Sequence, residues 1–300
     1  MLKIAYHPIY KHHLPDGHRF PMAKYELLHQ QLLHEGTCGP EHFFEPSIPD
    51  DEHILAVHDE GYYHDLLNLE IPSKEARKIG FPLSKELVLR ERIIADGTIK
   101  GCEFALEHGI AMNIAGGTHH AYSNRGEAFC MLNDQAIGAR YLQRNKQINN
   151  ILIVDLDVHQ GNGTAEIFQT DRSVFTFSMH GKGNYPFKKE VSDLDIALEK
   201  GTTNEEYLSI LKNTLPSLLE KVRPEFIFYL CGVDVLETDK LGTLSLSLDG
   251  CKERDRYVLQ TCHDSNIPVQ CSMGGGYSPE IKIIVEAHAN TFRLAQDIYA

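Results

Sequence analysis

Residues 155 to 163, DLDVHQGNG, set two carboxylates and an imidazole at alternate positions. In an extended strand successive side chains point to opposite sides, so Asp155, Asp157 and His159 share one face. Asp157 and His159 can then converge on one cation. A carboxylate with an imidazole suits Zn²⁺, whose catalytic sites take three protein ligands and keep a fourth position open. The third ligand must come from a neighbouring strand end, and Asp234, closing FIFYLCGVD (226–234), is the best placed. Asp155 is left to accept an N–H from a histidine and orient it. A second stretch, GGTHHAYSNRGEAFCMLND (116–134), sets His119 and His120 side by side behind a glycine pair. They are either incidental surface residues or proton-handling groups at the lip of a cavity. The first stretch also has a purely structural explanation. An apolar strand often ends in a carboxylate that caps the next helix, and Asn162 or Thr164 offers the same service. Asp234 emerging from a run as apolar as FIFYL, with paired histidines at another strand end, favours the metal.

These residues need a frame that brings strand ends together. Six apolar runs rich in β-branched and aromatic residues read as buried strands: 2–7, 111–117, 151–157, 174–180, 226–234 and 269–277. Helical spacing marks 131–144, 204–222, 250–265 and 279–298, with Pro216 expected to kink the second of these. Alternation of such elements predicts an α/β fold, a mostly parallel sheet covered on both faces in one three-layer domain over residues 1–300. In an open parallel sheet ligands bind outside the carboxyl ends of the strands. THH, VHQGNG, SMH, GVD and GGGY all fall at such ends, which points to one rim crowded with chemistry. The first hundred residues are less regular, although YELLHQQLLHEG and HDLLNLE have helical spacing. PSKEARKIG (72–80) is most simply a solvated loop or helix face.

Bulk composition narrows the function. The 300 residues are 42% hydrophobic and 24% charged, ordinary for a globular protein. A net charge of -13 argues against nucleic acid as a direct partner, while an acidic rim would attract a basic substrate. MLKIAYHPIYKHH lacks the apolar core of a signal peptide and no stretch has the length of a membrane span, so a cytoplasmic location is expected, with no membrane partner. Seven cysteines without CxxC spacing imply reduced thiols, and Cys130, Cys231 and Cys271 read as packing residues.

GGTHHA, DLDVHQGNG, SMH, GVDVLETDKLGTLSLS and GGGY, in that order, resemble the motifs of the histone deacetylase family, most closely its class IV branch and bacterial relatives. The resemblance implies the arginase/deacetylase fold, with a parallel sheet of about eight strands. It implies a zinc-dependent hydrolase that removes acyl groups, acetyl or longer, from the side-chain nitrogen of lysine. Asp157, His159 and Asp234 would bind Zn²⁺, although the same donors accept Fe²⁺. His120 would be the general base, His119 an electrostatic partner fixed by Asp155, and Tyr277 the donor to the developing oxyanion. Asp155 and Asn162 fall where the family places hydrogen-bond partners of the two histidines. Phe129 and Tyr185 fall at the walls of an acyl-lysine channel, with Gly275 and Gly276 alongside. The glycine run before Tyr277 would let that residue swing in. One K⁺ would be held by Asp155, Asp157, His159, Ser178 and Met179, and a second by main-chain oxygens between Phe168 and Val174, around Asp171. Two departures from the better-known pattern matter. Asn162 stands where class I has Asp, which predicts a His120 more often neutral at pH 7. Ala128 stands where Gly is frequent, so a methyl group narrows the channel or shifts its loop.

Among the remaining histidines, His7, His12, His13 and His18 read as surface or loop residues, His7 having a lesser claim to the pocket floor. His180 is equally a packing residue or a participant. Lys24 lies where relatives carry a basic residue beside the floor, where it would help a product acetate leave. Two other functions compete: hydrolysis of acetylpolyamines or another small N-acyl amine, and silent binding of acyl-lysine. A binuclear arginase-like centre would need more ligands than Asp157, His159 and Asp234 supply. Nothing in a compact domain requires an oligomeric partner.

Overall fold

A computed structural model describes all 300 residues. The apolar runs form the middle of one parallel eight-stranded sheet. Its strands are β1 (Lys3–Ala5), β2 (Phe43–Phe44), β3 (Ile110–Asn113), β4 (Ile151–Asp155), β5 (Val174–Gly181), β6 (Leu194–Leu198), β7 (Phe226–Leu230) and β8 (Val269–Ser272). Their spatial order is β2-β1-β3-β8-β7-β4-β5-β6, every pairing parallel. Every residue of β3, β4, β7 and β8 is buried, as expected for strands covered on both faces. The two strands absent from the sequence-based expectation are the edges. β2 is two residues long, and β6 alternates between half-buried and exposed positions along LDIA before ending on the buried Leu198. Neither carries the continuous apolar signal of a central strand.

Ten helices cover the sheet: α1 (Lys24–His34), α2 (Asp51–Leu55), α3 (Glu60–Asn68), α4 (Ser73–Ile79), α5 (Lys85–His108), α6 (Asp134–Lys146), α7 (Asn162–Phe168), α8 (Asn204–Val222), α9 (Leu248–Asp264) and α10 (Ile281–Tyr299). None is long and apolar enough to cross a membrane. PSKEARKIG becomes α4, solvated except at Ile79 and closed by Gly80 in the left-handed region. The longest helix, α5, escapes a periodicity reading because its buried side includes Arg90, Glu91 and Thr98 as well as aliphatic residues. Arg90 and Glu91 are ion-paired out of water, so the apolar stripe is interrupted in sequence although the packing is continuous. In α8 Pro216 lies inside a continuous helix. The Lys212 carbonyl that proline cannot satisfy accepts the Tyr257 hydroxyl at 3.2 Å.

The topology explains why chemistry collects in one place. From β3 the chain crosses to β4, leaving a gap that β7 and β8 later fill. The carboxyl ends of β3, β8, β7 and β4 are therefore four consecutive neighbours at a topological switch point.

Candidate active site

The strand β4 stops at Asp155, so alternation along a strand is not what gathers the metal ligands. The next residues form a chain of tight side-chain-to-backbone turns. The Asp157 N–H donates to Asp155 Oδ1 at 3.1 Å, and the His159 N–H to Asp157 Oδ1 at 2.9 Å. The Val158 N–H reaches Asp234 Oδ1 at 2.9 Å, and the Gly275 N–H reaches Asp157 Oδ2 at 2.9 Å. These turns separate two roles that strand alternation would have merged. Asp155 faces His119, while Asp157 faces Asp234 and His159. His159 Nδ1 lies 3.0 Å from Asp157 Oδ1 and 3.2 Å from Asp234 Oδ2. One donor atom from each residue falls within 4.8 Å of the other two.

The three side chains are buried, which makes their charges expensive unless compensated. Burial, reinforced by the charge of Asp157, pushes Asp234 up to about 7. Burial alone would lower His159, but hydrogen bonds and charge from both carboxylates raise it to about 10. Two crowded carboxylates around one imidazole nitrogen, out of water, form a donor set that fits a divalent cation such as zinc. The cradle is also cut to size. A Cβ at Gly275 would lie 2.1 Å from Asp234 Oδ2 and 2.8 Å from Asp157 Oδ2.

His119 and His120 follow β3, their rings 4.1 Å apart. His119 Nδ1 is 2.7 Å from Asp155 Oδ2. Burial pushes this imidazole down, but the charge and hydrogen bond of Asp155 outweigh it and hold it above its ordinary value. His120 Nδ1 is 2.6 Å from Asn162 Oδ1, and the Asn162 amide N–H donates to the Tyr122 hydroxyl at 2.9 Å. A carbonyl only accepts, so Nδ1 of His120 carries the proton and Nε2 keeps a free lone pair. Burial holds His120 well below its usual value, and the charges of His119 and His159 push it further. The lowered pKa favours a neutral His120 with its lone pair at Nε2, while the Asn162 hydrogen bond by itself pulls the other way.

Tyr277 is held by its own N–H, which donates to Asp239 Oδ2 at 2.6 Å. It shares a narrow cavity of about 40 Å³ with His119, His120, Asp157, His159 and Asp234. Phe129 and Ala128 line the same cavity. Both adopt left-handed backbone, φ +69° and +45°, a conformation that costs a non-glycine residue about 1 kcal/mol or more. Their N–H groups donate to the carbonyls of Ile79 and Lys78 at the end of α4, at 2.6 and 2.8 Å. Tyr185 stands perpendicular to His120 with ring centres 5.0 Å apart, and its hydroxyl donates to Glu127. Gly275 borders the cavity, but Gly276 does not. A Cβ on Gly276 would meet Val233 and Ile284, behind the site.

Several other expectations are decided by position. His180 is buried with its Nδ1 2.9 Å from Ser178 Oγ and 3.9 Å from Asp195, and burial pushes it down to about 4. It packs behind the rim. His7 accepts the Ile9 N–H and sits 3.2 Å from Glu45, away from the pocket floor. Lys24 is buried, donates to the Gly274 carbonyl at 3.0 Å, and is pushed down to about 8 by burial against the pull of Asp234 and Asp157. All seven cysteines are free and buried. Of the expected potassium ligands, Ser178 is paired with Asp155 across β4 and β5, with Met179 next in the strand. In the second group the Phe168 carbonyl accepts the Asp171 N–H at 2.9 Å, and Val174 opens β5. Tyr122, Glu127, Asp239 and Arg90, which borders the cavity floor, were not anticipated. Asp239 lies inside the GVDVLETDKLG stretch, and Tyr122 stands two residues after His120, so adjacency to a motif was the available signal.

Comparison with known proteins identifies the family. A model of the histone deacetylase domain matches residues 18–292. An uncharacterised protein of Picosynechococcus sp. is 45% identical over 99% of both chains. Histone deacetylase 2 of Arabidopsis thaliana is 28% identical, covering 92% of this chain and 74% of its own. The acetoin utilization protein AcuC of Staphylococcus aureus is also 28% identical, covering 88% and 73%. With this match across nearly its whole length and the eight-stranded parallel sheet of the arginase/deacetylase fold, the chain belongs to the histone deacetylase family and is a deacetylase-type hydrolase.

Proposed function

We propose that the protein is a zinc-dependent lysine deacylase, hydrolysing the amide between an acyl group and the side-chain nitrogen of lysine in a protein or peptide, the whole chain acting as one catalytic domain. The observation that carries this is the Asn162–His120 hydrogen bond at 2.6 Å, which leaves a free imidazole lone pair in the cavity that Asp157, His159 and Asp234 also line. Those three residues would hold the ion; Fe²⁺ suits the same donors. When bound, a divalent ion there would supply Lewis acidity, polarising a carbonyl and lowering the pKa of water far below its bulk value, toward about 7.

The chain's own groups account for the rest. His120 Nε2 takes the proton from the attacking water and returns it to the leaving amine. His119, locked to Asp155 at 2.7 Å, adds fixed positive character beside the reacting centre. Tyr277 donates its hydroxyl to the developing oxyanion, an interaction whose loss costs about 3 kcal/mol of barrier. Phe129 and Tyr185 flank the aliphatic stem of the substrate lysine. A potassium ion beside β4 and β5 would take hard oxygen donors from the Asp155 and Ser178 region, and a second would draw on the Phe168–Val174 segment.

A panel of lysine peptides with acyl groups of increasing length, assayed with protein of defined metal content, tests this. Turnover is expected that disappears on chelation, returns with zinc and falls about 100-fold in Tyr277→Phe. Turnover of N-acetyl diamines alone would replace the peptide substrate with a small amine. Tight peptide binding without turnover, unchanged in Tyr277→Phe, would make the protein a silent acyl-lysine binder.

A further inference from the structure

Arg254, on α9, is the largest fully enclosed side chain in the molecule. A buried guanidinium has to be neutralised and hydrogen-bonded on every side to be tolerated. Arg254 Nε donates to Asp255 Oδ1 at 2.8 Å, which neutralises it. Asp255 is itself held by the hydroxyls of Tyr229 on β7 and Thr291 on α10. Nη2 also lies 2.8 Å from Asp255 Oδ1, and the two terminal nitrogens reach the carbonyls beyond the sheet. Nη1 donates to the carbonyls of Gly232 at 2.7 Å and Leu156 at 3.2 Å, and Nη2 to that of Cys231 at 3.4 Å.

Those three carbonyls lie where β4 and β7 stop pairing. The ladder between the two strands ends with Asp155 opposite Leu230, and a final bond runs from the Leu156 N–H to the Leu230 carbonyl. Beyond that point the chains diverge, one into Asp157 one residue later, the other into Asp234 two residues after Gly232. The guanidinium fork takes the place of the missing ladder bonds and ties the two diverging segments to each other. Only arginine presents several donors in a rigid plane; a lysine ammonium is a point charge on a flexible stem and cannot span the same carbonyls.

We propose that Arg254 is a positioning residue that sets the separation of Asp157 and Asp234 and thereby the affinity of the site for its divalent ion. It touches neither substrate nor ion. Because Asp255 cancels its charge, it does not repel the cation it helps to seat. The proposal rests on the metal assignment of Asp157, His159 and Asp234.

The test is the zinc affinity of folded, metal-stripped protein, measured by competition with a chromophoric chelator. Arg254→Lys, which keeps charge and bulk but loses the fork, should bind zinc on the order of 10- to 100-fold more weakly. Asp255→Asn, which leaves the guanidinium present but loosens its anchor, should show a smaller loss in the same direction. Leu142→Ala, a cavity in the buried face of α6, should lower the melting temperature while leaving zinc affinity within about threefold. Arg254→Lys or Asp255→Asn binding zinc as tightly as the parent, or Leu142→Ala weakening it equally, would overturn the proposal. Failure of the metal assignment itself gives a different result, because the unmodified protein would then bind no zinc.

Discussion

Burial depresses several histidines of this protein, among them His120 in the candidate site and His58 away from it. His120 is held down by burial and by the charges of His119 and His159, and its Asn162 partner brings no negative charge to oppose them. Asn162→Asp adds a negative charge against Nδ1, which favours the imidazolium and raises the pKa. The base must be neutral to act, so the acid limb of kcat/KM against pH should move up by about one unit or more in this variant, measured with zinc saturating. An acid limb that stays in place would show that Asn162 does not govern the protonation of His120. His58 is the second case. Its Nδ1–H donates to the Tyr122 carbonyl and its Nε2 accepts the Asn133 N–H, both at 3.0 Å, and burial pushes it down to about 4. Because the folded value is depressed, the unfolded chain takes up the proton first as pH falls. The stability is complete above about 6.5 and is lost between there and about 4. From pH 7 to pH 5 this group alone should remove about 2 kcal/mol. Urea unfolding at the two pH values should show that increment in the parent and not in His58→Gln; equal losses in both would assign the acid sensitivity elsewhere.

At the scale of elements, the site is a set of loops pinned to one another. The loop after β8 supplies the Gly275 N–H to Asp157 and, two residues later, Tyr277. Gly275→Ala would drive a methyl group into both carboxylates of the cradle. Activity should fall at least about 100-fold and the purified protein should lose its bound metal, read by elemental analysis; full metal content would mean that the loop retreats without disturbing Asp157 and Asp234. The loop from His119 to Asn133 is fastened at its far end by His58 and midway by the end of α4, through the carbonyls of Lys78 and Ile79. That anchoring is why a left-handed backbone persists at Ala128 and Phe129 without glycine. α4 thus carries a site loop, although from its composition it is only a solvated helix.

At the scale of the molecule, zinc should act as part of the fold. Binding to the folded chain alone, at 100 times its dissociation constant, adds about 2.7 kcal/mol. For a chain of this size that corresponds to a rise of about 5 °C in melting temperature. Scanning calorimetry before and after chelation should show this difference; coincident melting curves would remove the ion from the structure. The sequence by itself determined which residues could do the chemistry and that they stand at the ends of parallel strands. Those strands are buried on both faces, and continuous apolar runs ending in His, Asp or Gly are local signals. It also determined the α/β layering, through the alternation of strand and helix periods. The division between Asp155 and Asp157 was expected from the sequence; the tertiary structure alone decided the turns after the strand that face them apart. It alone decided the edge strands, the polar-bearing helix α5, and the contacts of His58, Asp239 and Arg254. Each of these takes its meaning from a partner far away in the chain, and no spacing or composition records a contact that only folding creates.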